Sequence, residues 1–285
     1  MKLITTTHML ETRFGLKQAI KIIKENGFDG YDCSLFESMK PGKPLALTAA
    51  LDYAREVRVF ADSVGLPCTQ THAPFPVLKN TLDMDAVVET QLRAIEISAI
   101  LGAEIIVIHP ASCTDVHGNF EHLYSKLLPK AEELGIKIAT ENMFFFDAKT
   151  KTASPAACGT VEDFIRYVDY PKSEHFTACL DIGHAELNNM EGAVKFIKQM
   201  GRNRILALHV HDNDKKTDKH VIPFSGVTDW KAVCKALAEI DYSGNFTFEA
   251  DYTFTNIPDE LMPVGMKLLY KTGRHLINMI ESSKN

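Results

Sequence analysis

The sequence predicts a single (β/α)8 barrel, in which eight parallel strands close into a cylinder and each is followed by a helix. Short apolar runs alternate with longer amphipathic segments along the chain. Eight such runs in 285 residues give a repeat of roughly 36 residues, which is typical of this fold. The turn after the first run, Thr5-Thr6-Thr7-His8, has none of the glycines expected in a doubly wound open sheet.

The predicted strands are short and rich in apolar residues. The clearest is the run Ile-Ile-Val-Ile that begins at Ile105, which is continuous enough for a strand buried on both faces of a parallel sheet. The eight predicted strands cover residues 2–7, 31–36, 68–72, 105–109, 137–141, 176–181, 205–211 and 245–251.

Four predicted helices end directly before a glycine, the residue that adopts the left-handed conformation after a helix without strain. They cover residues 16–26, 51–64, 85–101 and 120–134, before Gly27, Gly65, Gly102 and Gly135. Thr160 and Thr228 are predicted N-caps of later helices. Pro129 is expected to kink or break its helix, and Trp230 to pack at the start of another.

Composition limits the function classes. With 31 basic and 37 acidic residues the net charge is −6, so a nucleic-acid partner is not expected. Six widely spaced cysteines without a Cys-x-x-Cys pair indicate reduced thiols in a cytoplasmic protein. The first residues do not have the pattern of a secretory signal, so none is expected, and no apolar run approaches the ~20 residues of a membrane span. We therefore expect one cytoplasmic, enzyme-sized domain over residues 1–285, and homo-oligomer formation stays open.

Six of the eight predicted strands end in acidic or imidazole side chains. One histidine or carboxylate at a strand end is commonly a hydrogen-bonded structural residue. Six such side chains at the same end of a barrel would meet at one mouth. Carboxylates that converge there repel one another unless a cation is bound between them. The set suits Zn²⁺, Mn²⁺ or a similar divalent ion. These strand ends are His72, His109, Glu141, the stretch 181–184, the stretch 209–212 and Glu249.

Four of these residues are the best candidate metal ligands, because each is the last inward-facing residue of its strand. They are Glu141, Asp181, His209 and Glu249. His211 lies two residues after His209 and shares its face of the strand. It is either a competing ligand or a residue that supports the ligands.

Together these motifs resemble the xylose isomerase-like barrel superfamily. That superfamily contains sugar isomerases and epimerases, inosose-processing enzymes and abasic-site nucleases of the endonuclease IV type. The motifs run in order from the second strand to the eighth and so cover most of the chain. They are Gly-Phe-Asp-Gly at 27–30, His-Ala-Pro-Phe at 72–75, His-Pro at 109–110, Glu-Asn at 141–142, Asp-Ile-Gly-His at 181–184, His-x-x-Asp at 209–212, Asp-Lys-His at 218–220, Gly-Val-Thr-Asp-Trp at 226–230 and Phe-Glu at 248–249.

The resemblance implies a metal-dependent isomerase or epimerase that acts on a sugar, a polyol ketone or a sugar phosphate. One divalent ion (Mn, Zn, Co or Mg) would be held by Glu141, Asp181, His209 and Glu249. The two glutamates would act as acid and base in a proton transfer through an enediolate. His184 would assist catalysis by binding a hydroxyl or the oxyanion. The residues assigned to substrate binding or a second metal site are His72, His109, His211, Asp218 and His220.

The alternative implied by the resemblance is a phosphodiesterase with three zinc ions that acts on abasic DNA. Every position that matches a ligand of that cluster is occupied here: His72, His109, Glu141, Asp181, His184, His209, Asp218, His220 and Glu249. The stretch Phe-Pro-Val-Leu-Lys at 75–79 departs from the nuclease pattern, and the acidic composition also favours the isomerase. A barrel that only binds sugar is disfavoured by the two intact glutamates. No arginine clamp for phosphate is evident, which favours an unphosphorylated substrate.

The connection between residues 142 and 159 is long for a loop between a strand and a helix, so it is a candidate lid. It contains three consecutive phenylalanines, Phe144, Phe145 and Phe146. Either they form an apolar wall over the site or they pack the lid onto the barrel rim.

Overall fold

The structure, a computed structural model, describes residues 1–75, 84–111 and 115–284. Eight parallel strands form a closed barrel in the order β1-β10-β9-β8-β5-β4-β3-β2, and β6 and β7 pair in a separate hairpin. The strands are β1 (Lys2–Thr6), β2 (Gly30–Ser34), β3 (Cys68–His72), β4 (Ile105–Val107), β5 (Lys137–Glu141), β6 (Phe144–Asp147), β7 (Thr152–Pro155), β8 (Phe176–Asp181), β9 (Ile205–Val210) and β10 (Asn245–Phe248).

The predicted (β/α)8 barrel is thus confirmed. The first and last strands close it, with Lys2 opposite Asn245 and Thr5 opposite Phe248. Several strands end one to three residues earlier than predicted, most clearly β4 and β10. After β2, for example, the chain turns directly into a short helix at Leu35–Ser38.

Helices surround the barrel, and four of them match the predicted ones closely. The glycines after these four helices all have positive φ angles, as expected for left-handed helix ends. The helices are α1 (His8–Phe14), α2 (Leu16–Asn26), α3 (Leu35–Ser38), α4 (Ala50–Val64), α5 (Met84–Leu101), α6 (Val116–Asn119), α7 (Ser125–Leu134), α8 (Val161–Asp169), α9 (Ile182–Ala185), α10 (Ala193–Met200), α11 (Trp230–Glu239) and α12 (Met262–Ser282).

The local helix signals were correct in one case and wrong in another. Thr160 caps α8, since its hydroxyl accepts a hydrogen bond from the backbone N–H of Asp163. Thr228 does not cap α11, because the Asp229 carboxylate accepts the N–H of Ala232 instead. The carboxylate lies one residue closer to the helix and takes the capping position.

Pro129 neither ends nor interrupts its helix, which continues to Leu134. The irregularity lies one turn earlier, where residues Phe120–Tyr124 form a π turn. Trp230 packs at the start of α11 as predicted, and its indole N–H donates to the Asp212 carboxylate at 2.9 Å.

In the described part of the chain, the cysteines are buried and unpaired: Cys33, Cys68, Cys158, Cys179 and Cys234. Cys113 lies outside the described residues. Among the helices of the described ranges, none combines the length and the apolar character needed to cross a bilayer.

Glu11, on α1, is expected to make folding stability depend on pH. Its side chain is 4% exposed and accepts a hydrogen bond from Ser38 at 2.7 Å. Burial raises the pKa of Glu11 from 4.5 to about 7. Between these values the folded chain binds more protons than the unfolded chain, so this residue's contribution to stability is lost as pH rises from 4.5 to 7.

Glu11→Gln should therefore raise the free energy of unfolding at pH 8 by about 1–3 kcal/mol and leave it nearly unchanged at pH 4.5. Glutamine keeps an acceptor for Ser38 but has no charge to bury. Urea unfolding at pH 4.5, 6 and 8 measures the effect, with the exposed Glu25→Gln as the control. A variant whose stability follows the wild-type pH dependence would contradict the prediction.

Candidate metal centre and active site

The candidate side chains all point into the barrel because successive side chains of a strand alternate between its two faces. Side chains two positions apart point to the same face of a strand. One step below Glu141, Asp181 and His209 lie Ala139, Cys179 and Ala207, all small and fully buried. These small side chains fill the barrel interior, and the longer polar ones extend above them to a common point.

Four residues from four strand ends form the central donor group: Glu141, Asp181, His209 and Glu249. Their donor atoms all lie within 4.8 Å of one another. Nδ1 of His209 is 3.3 Å from Oε1 of Glu141, 3.2 Å from Oε2 of Glu249 and 3.9 Å from Oδ2 of Asp181. The sequence had predicted the same four residues as metal ligands.

The donor group fits a divalent cation. Nδ1 of His209 is fully buried and has no hydrogen-bond partner, although three carboxylates surround it. Buried polar atoms are rarely left unpaired, and three close carboxylates repel one another. One nitrogen and three carboxylates are a donor set typical of zinc or manganese. A cation at this point would satisfy the nitrogen and offset the repulsion.

Two more donor groups adjoin the central one, and they contain the other predicted site residues. In the first, Oε2 of Glu141 lies 3.0 Å from Nε2 of His109 and 3.5 Å from Nε2 of His72. In the second, Oδ2 of Asp218 lies 2.8 Å from Nε2 of His220 and 3.3 Å from Nε2 of His184. His211 completes the second group.

His211 lies beside Asp181 and does not belong to the central donor group. Its Nε2 is 3.1 Å from the Asp181 carboxylate, and its ring stacks on that of His220 with centroids 4.1 Å apart. The backbone of Gly183 passes so close that a Cβ there would lie 1.9 Å from the His211 ring. Of the two roles left open by the sequence, this geometry favours support of Asp181.

The carboxylates make the site strongly favourable for positive charge. Burial opposes ionisation of Glu141, but nearby His209 and His109 hold its pKa well below the usual range. Burial likewise opposes charge on His184, yet Asp181 and Asp218 raise its pKa well above normal. Either protons on the histidines or a bound cation can supply this charge.

A cavity of about 380 Å³ opens above the donor groups, within the size range of small-molecule sites. His72, His109, Glu141, His184, Asp218, His220 and Glu249 form its polar side. The opposite wall is apolar, and it consists of Phe75, Pro110, Met143, Phe144, Phe145 and Ala156. The site thus combines a charged floor with an apolar wall.

Part of the apolar wall belongs to a hairpin that the sequence analysis did not predict. Residues expected to form an irregular lid fold into β6 and β7, paired antiparallel. Phe144 and Phe145 line the cavity, and the Phe144 ring meets His184 edge-on at 4.9 Å. Phe146 does not line the cavity and is 44% exposed. Asp147, whose carboxylate accepts the N–H of Lys149, is a turn signal that would have indicated the hairpin.

Two further residues relevant to the site were missed. Gln70 and Asp32 lie below His209, where the Gln70 amide nitrogen is 2.7 Å from Oδ2 of Asp32 and 3.4 Å from Nε2 of His209. Thr247 donates to Oε1 of Gln70. The available signal was their position: Asp32 in β2 and Gln70 in β3 are polar residues two positions before the end of a buried strand. The 76–79 part of the stretch that departs from the nuclease pattern lies outside the described residues.

A family model described as xylose isomerase-like TIM barrel matches residues 20–272. The chain is 26% identical over 239 residues to the uncharacterised protein y4fM of Sinorhizobium fredii, a match that covers 80% of this chain and 68% of that protein. It is 29% identical over 192 residues to the uncharacterised protein MJ1311 of Methanocaldococcus jannaschii, covering 62% of each.

Solved structures with this fold include sugar epimerases. A D-tagatose 3-epimerase-like protein is 24% identical, with full coverage of both chains and a TM-score of 0.75. The 3-keto-D-glucoside 4-epimerase YcjR of E. coli is 18% identical, covering 96% of this chain and 99% of its own, with a TM-score of 0.69. The IolI protein, solved with a bound zinc atom, is 18% identical, covers 99% of both chains and has a TM-score of 0.72.

Proposed function

Because the chain belongs to the xylose isomerase-like TIM barrel family, we propose that it is a divalent-metal-dependent isomerase or epimerase of a sugar or a related ketone. One observation carries the proposal. Glu141 and Glu249 approach the unpaired Nδ1 of His209 at 3.3 and 3.2 Å on the floor of a small-molecule cavity. This arrangement offers both a cation site and two carboxylates for proton transfer.

A cation held by Glu141, Asp181, His209 and Glu249 would polarise a substrate carbonyl and its neighbouring hydroxyl. It would thereby acidify the C–H bond of the carbon that carries this hydroxyl. One glutamate then removes this proton, and the other returns a proton to the opposite face or to the adjacent carbon. Return to the opposite face of the same carbon gives an epimer. Return to the former carbonyl carbon, with transfer of the hydroxyl proton between the two oxygens, gives an isomer. Both carboxylates line the cavity, as this division of roles requires.

His184 is oriented for hydrogen bonding to the substrate. Its Nδ1 donates to the backbone oxygen of Asn142 at 3.0 Å, which leaves Nε2 on the cavity side near Asp218. His72 is held similarly, by a hydrogen bond from Nδ1 to the backbone oxygen of Ala73. The two rings can bind hydroxyls or the oxyanion of an enediolate, and the hairpin wall limits the access of water to it.

The cavity suits an unphosphorylated substrate. Within residues 1–75, 84–111 and 115–284, no lysine or arginine lines it. Two lysines near the mouth pair with acids instead, Lys215 with Glu186 and Lys219 with Asp214. A phosphate group normally requires such cations or a set of backbone N–H groups. We therefore assign a neutral sugar or polyol ketone as the substrate class.

Solvent exchange tests the proposal directly. The metal-loaded protein is incubated in D₂O with a panel of ketopentoses, ketohexoses and inososes, and proton NMR follows each carbon next to the carbonyl. Proton transfer through an enediolate predicts deuterium at that carbon together with a new epimer or isomer. The double variant Glu141→Gln/Glu249→Gln is the matched control. Absence of exchange with every ketone in the panel would reject the proposed chemistry.

Gln70 and Asp32, which lie below His209, provide a prediction about metal affinity. If Nδ1 of His209 binds the cation, Nε2 carries the ring proton and faces the Asp32 carboxylate, whose Oδ2 lies 4.0 Å away and accepts a hydrogen bond from the Gln70 amide. Gln70→Ala should lower the affinity for Mn²⁺ or Zn²⁺ by about 10–100-fold, because outer partners orient a ligating histidine. Metal titration by calorimetry measures this, with the buried Asn26→Ala as the control. An affinity within twofold of wild type would show that Gln70 does not position the ligand.

A second candidate function follows from the two additional donor groups. Together with the central group they supply ligands for up to three cations, the arrangement that the resemblance associates with a zinc phosphodiesterase acting on abasic DNA. The net charge of −6 and the absence of lysine and arginine among the described cavity residues do not favour DNA.

His220→Ala separates the two functions. In an isomerase, the variant should raise KM by about tenfold and leave the metal content unchanged, because only a hydroxyl contact is lost. In a trinuclear phosphodiesterase, it should lose one of three zinc ions and the nicking of abasic DNA. Elemental analysis and a nicking assay on wild type and variant measure both outcomes.

A further inference from the structure

A second cavity of about 380 Å³ adjoins the one above the metal centre. The two cavities share Phe75, His220 and Glu249, so they meet at one of the two proposed proton-transfer residues. The remaining residues that line the second cavity are His8, Phe36, Lys40, Asp251 and Tyr252. A sugar whose carbonyl lies between Glu141 and Glu249 would occupy the first cavity and leave the second available.

The polar groups of the second cavity suit neutral hydroxyls. His8 and Asp251 form a pair with Nδ1 and Oδ2 2.8 Å apart, and the ammonium group of Lys40 pairs with Glu37. Glu249 adds another carboxylate. Because the positive groups here have negative partners, an anionic ligand is not favoured, whereas hydroxyls can both donate to and accept from these groups.

Aromatic side chains border the same cavity and remain accessible. Tyr252 is 56% exposed and Phe75 is 47% exposed. Phe36 stacks on Phe75 with ring centroids 5.0 Å apart. Tyr252 is held in place by its backbone N–H, which donates to the backbone oxygen of His220. Large aromatic faces left open beside a cavity indicate a binding surface, and they can pack against the C–H face of a sugar ring.

We propose that the second cavity binds a second hydroxylated ring of the substrate. The substrate is then a ketose or keto-sugar joined to another sugar, that is, a disaccharide or glycoside. Its reacting ring lies over the metal centre, and its other ring lies between the His8–Asp251 pair and Tyr252. This proposal rests on the proposed isomerase or epimerase function and specifies its substrate class.

Binding measurements on the Mn²⁺-loaded protein test the proposal. The probes are D-fructose and four disaccharides that carry a hexose on different fructose oxygens: turanose, lactulose, leucrose and isomaltulose. We expect at least one disaccharide to bind ten times more tightly than fructose in calorimetry. If no disaccharide binds more tightly than fructose, the proposal is wrong.

Variants of Tyr252 test whether the tighter binding of a disaccharide arises in the second cavity. Tyr252→Ala should weaken binding of the preferred disaccharide by about five- to tenfold and change fructose binding by less than twofold, whereas Tyr252→Phe should retain the wild-type affinity. Tyr170→Ala, which removes an exposed tyrosine that lines neither cavity, is the control. Equal weakening of both sugars, or of neither, by Tyr252→Ala would overturn the assignment.

The same probes distinguish failure of this inference from failure of the proposed function. Tight disaccharide binding that depends on Tyr252, but without deuterium exchange into any sugar, would support the second cavity and reject the isomerase chemistry. Exchange into fructose and the disaccharides with equal kcat/KM and equal affinity would support the chemistry and reject the second cavity.

Discussion

Replacing Glu249 with glutamine is expected to lower kcat by about 10²–10⁴-fold, the usual contribution of a positioned acid or base. The amide is nearly the same size as the carboxylate, so the cavity keeps its shape. It cannot accept the substrate proton, however, and it cannot return one. Glu249 lies 3.2 Å from Nδ1 of His209, so the variant also loses one negative charge beside the cation.

The measurement is the rate of deuterium exchange into the ketone identified by the panel, together with circular dichroism and the metal content. Glu260→Gln, a change at an exposed glutamate outside both cavities, controls for the loss of one charge. A Glu249→Gln protein that is folded, metal-loaded and fully active would remove Glu249 from the proposed chemistry.

Removal of the metal is expected to abolish turnover and to lower the thermal midpoint by about 5–10 °C. A ligand present at 1,000 times its Kd stabilises the folded state by about 4 kcal/mol, and each kcal/mol shifts the midpoint of a chain this large by about 2 °C. Without the cation, Glu141, Asp181 and Glu249 are left close together in a buried site, and their repulsion adds to the loss.

The experiment begins with elemental analysis of protein purified without chelators or a histidine tag. It continues with EDTA dialysis, scanning calorimetry and reconstitution with Mn²⁺, Co²⁺, Zn²⁺ or Mg²⁺. About one metal per chain agrees with the proposed isomerase, and close to three zinc ions would favour the phosphodiesterase. Full activity in protein proven metal-free would reject a metal-dependent reaction.

The sequence was sufficient to predict the barrel and the composition of the central donor group. Buried strands such as β4 are continuous apolar runs that are visible locally, and glycines such as Gly27 mark the helix ends. The parallel fold brings all carboxyl ends of the strands together. An inward-facing residue at the carboxyl end of a strand, such as Glu141, must therefore lie at the same barrel mouth as the others.

Other parts of the site depend on contacts that no local pattern reveals. His8 follows β1 and Asp251 follows β10, and they pair only because the first and last strands close the barrel. Gln70 meets His209 across the barrel interior. The hairpin of β6 and β7 is hard to predict because its consecutive aromatic residues have no alternating pattern, and the Asp147 turn is its one local signal.

Under the proposed function, the β6–β7 hairpin would allow substrate specificity to change independently of the proton transfer. Its backbone hydrogen bonds are made mainly within itself and to its own base, where Met143 pairs with Ala156 and Ala157. None of the central metal donors lies on it. Exchange of residues 145–154 with those of a relative is thus expected to change the shape of the cavity wall and to leave the central donor group unaltered. For protein engineering, this hairpin is the segment in which we would vary residues to select new substrates for the proposed reaction.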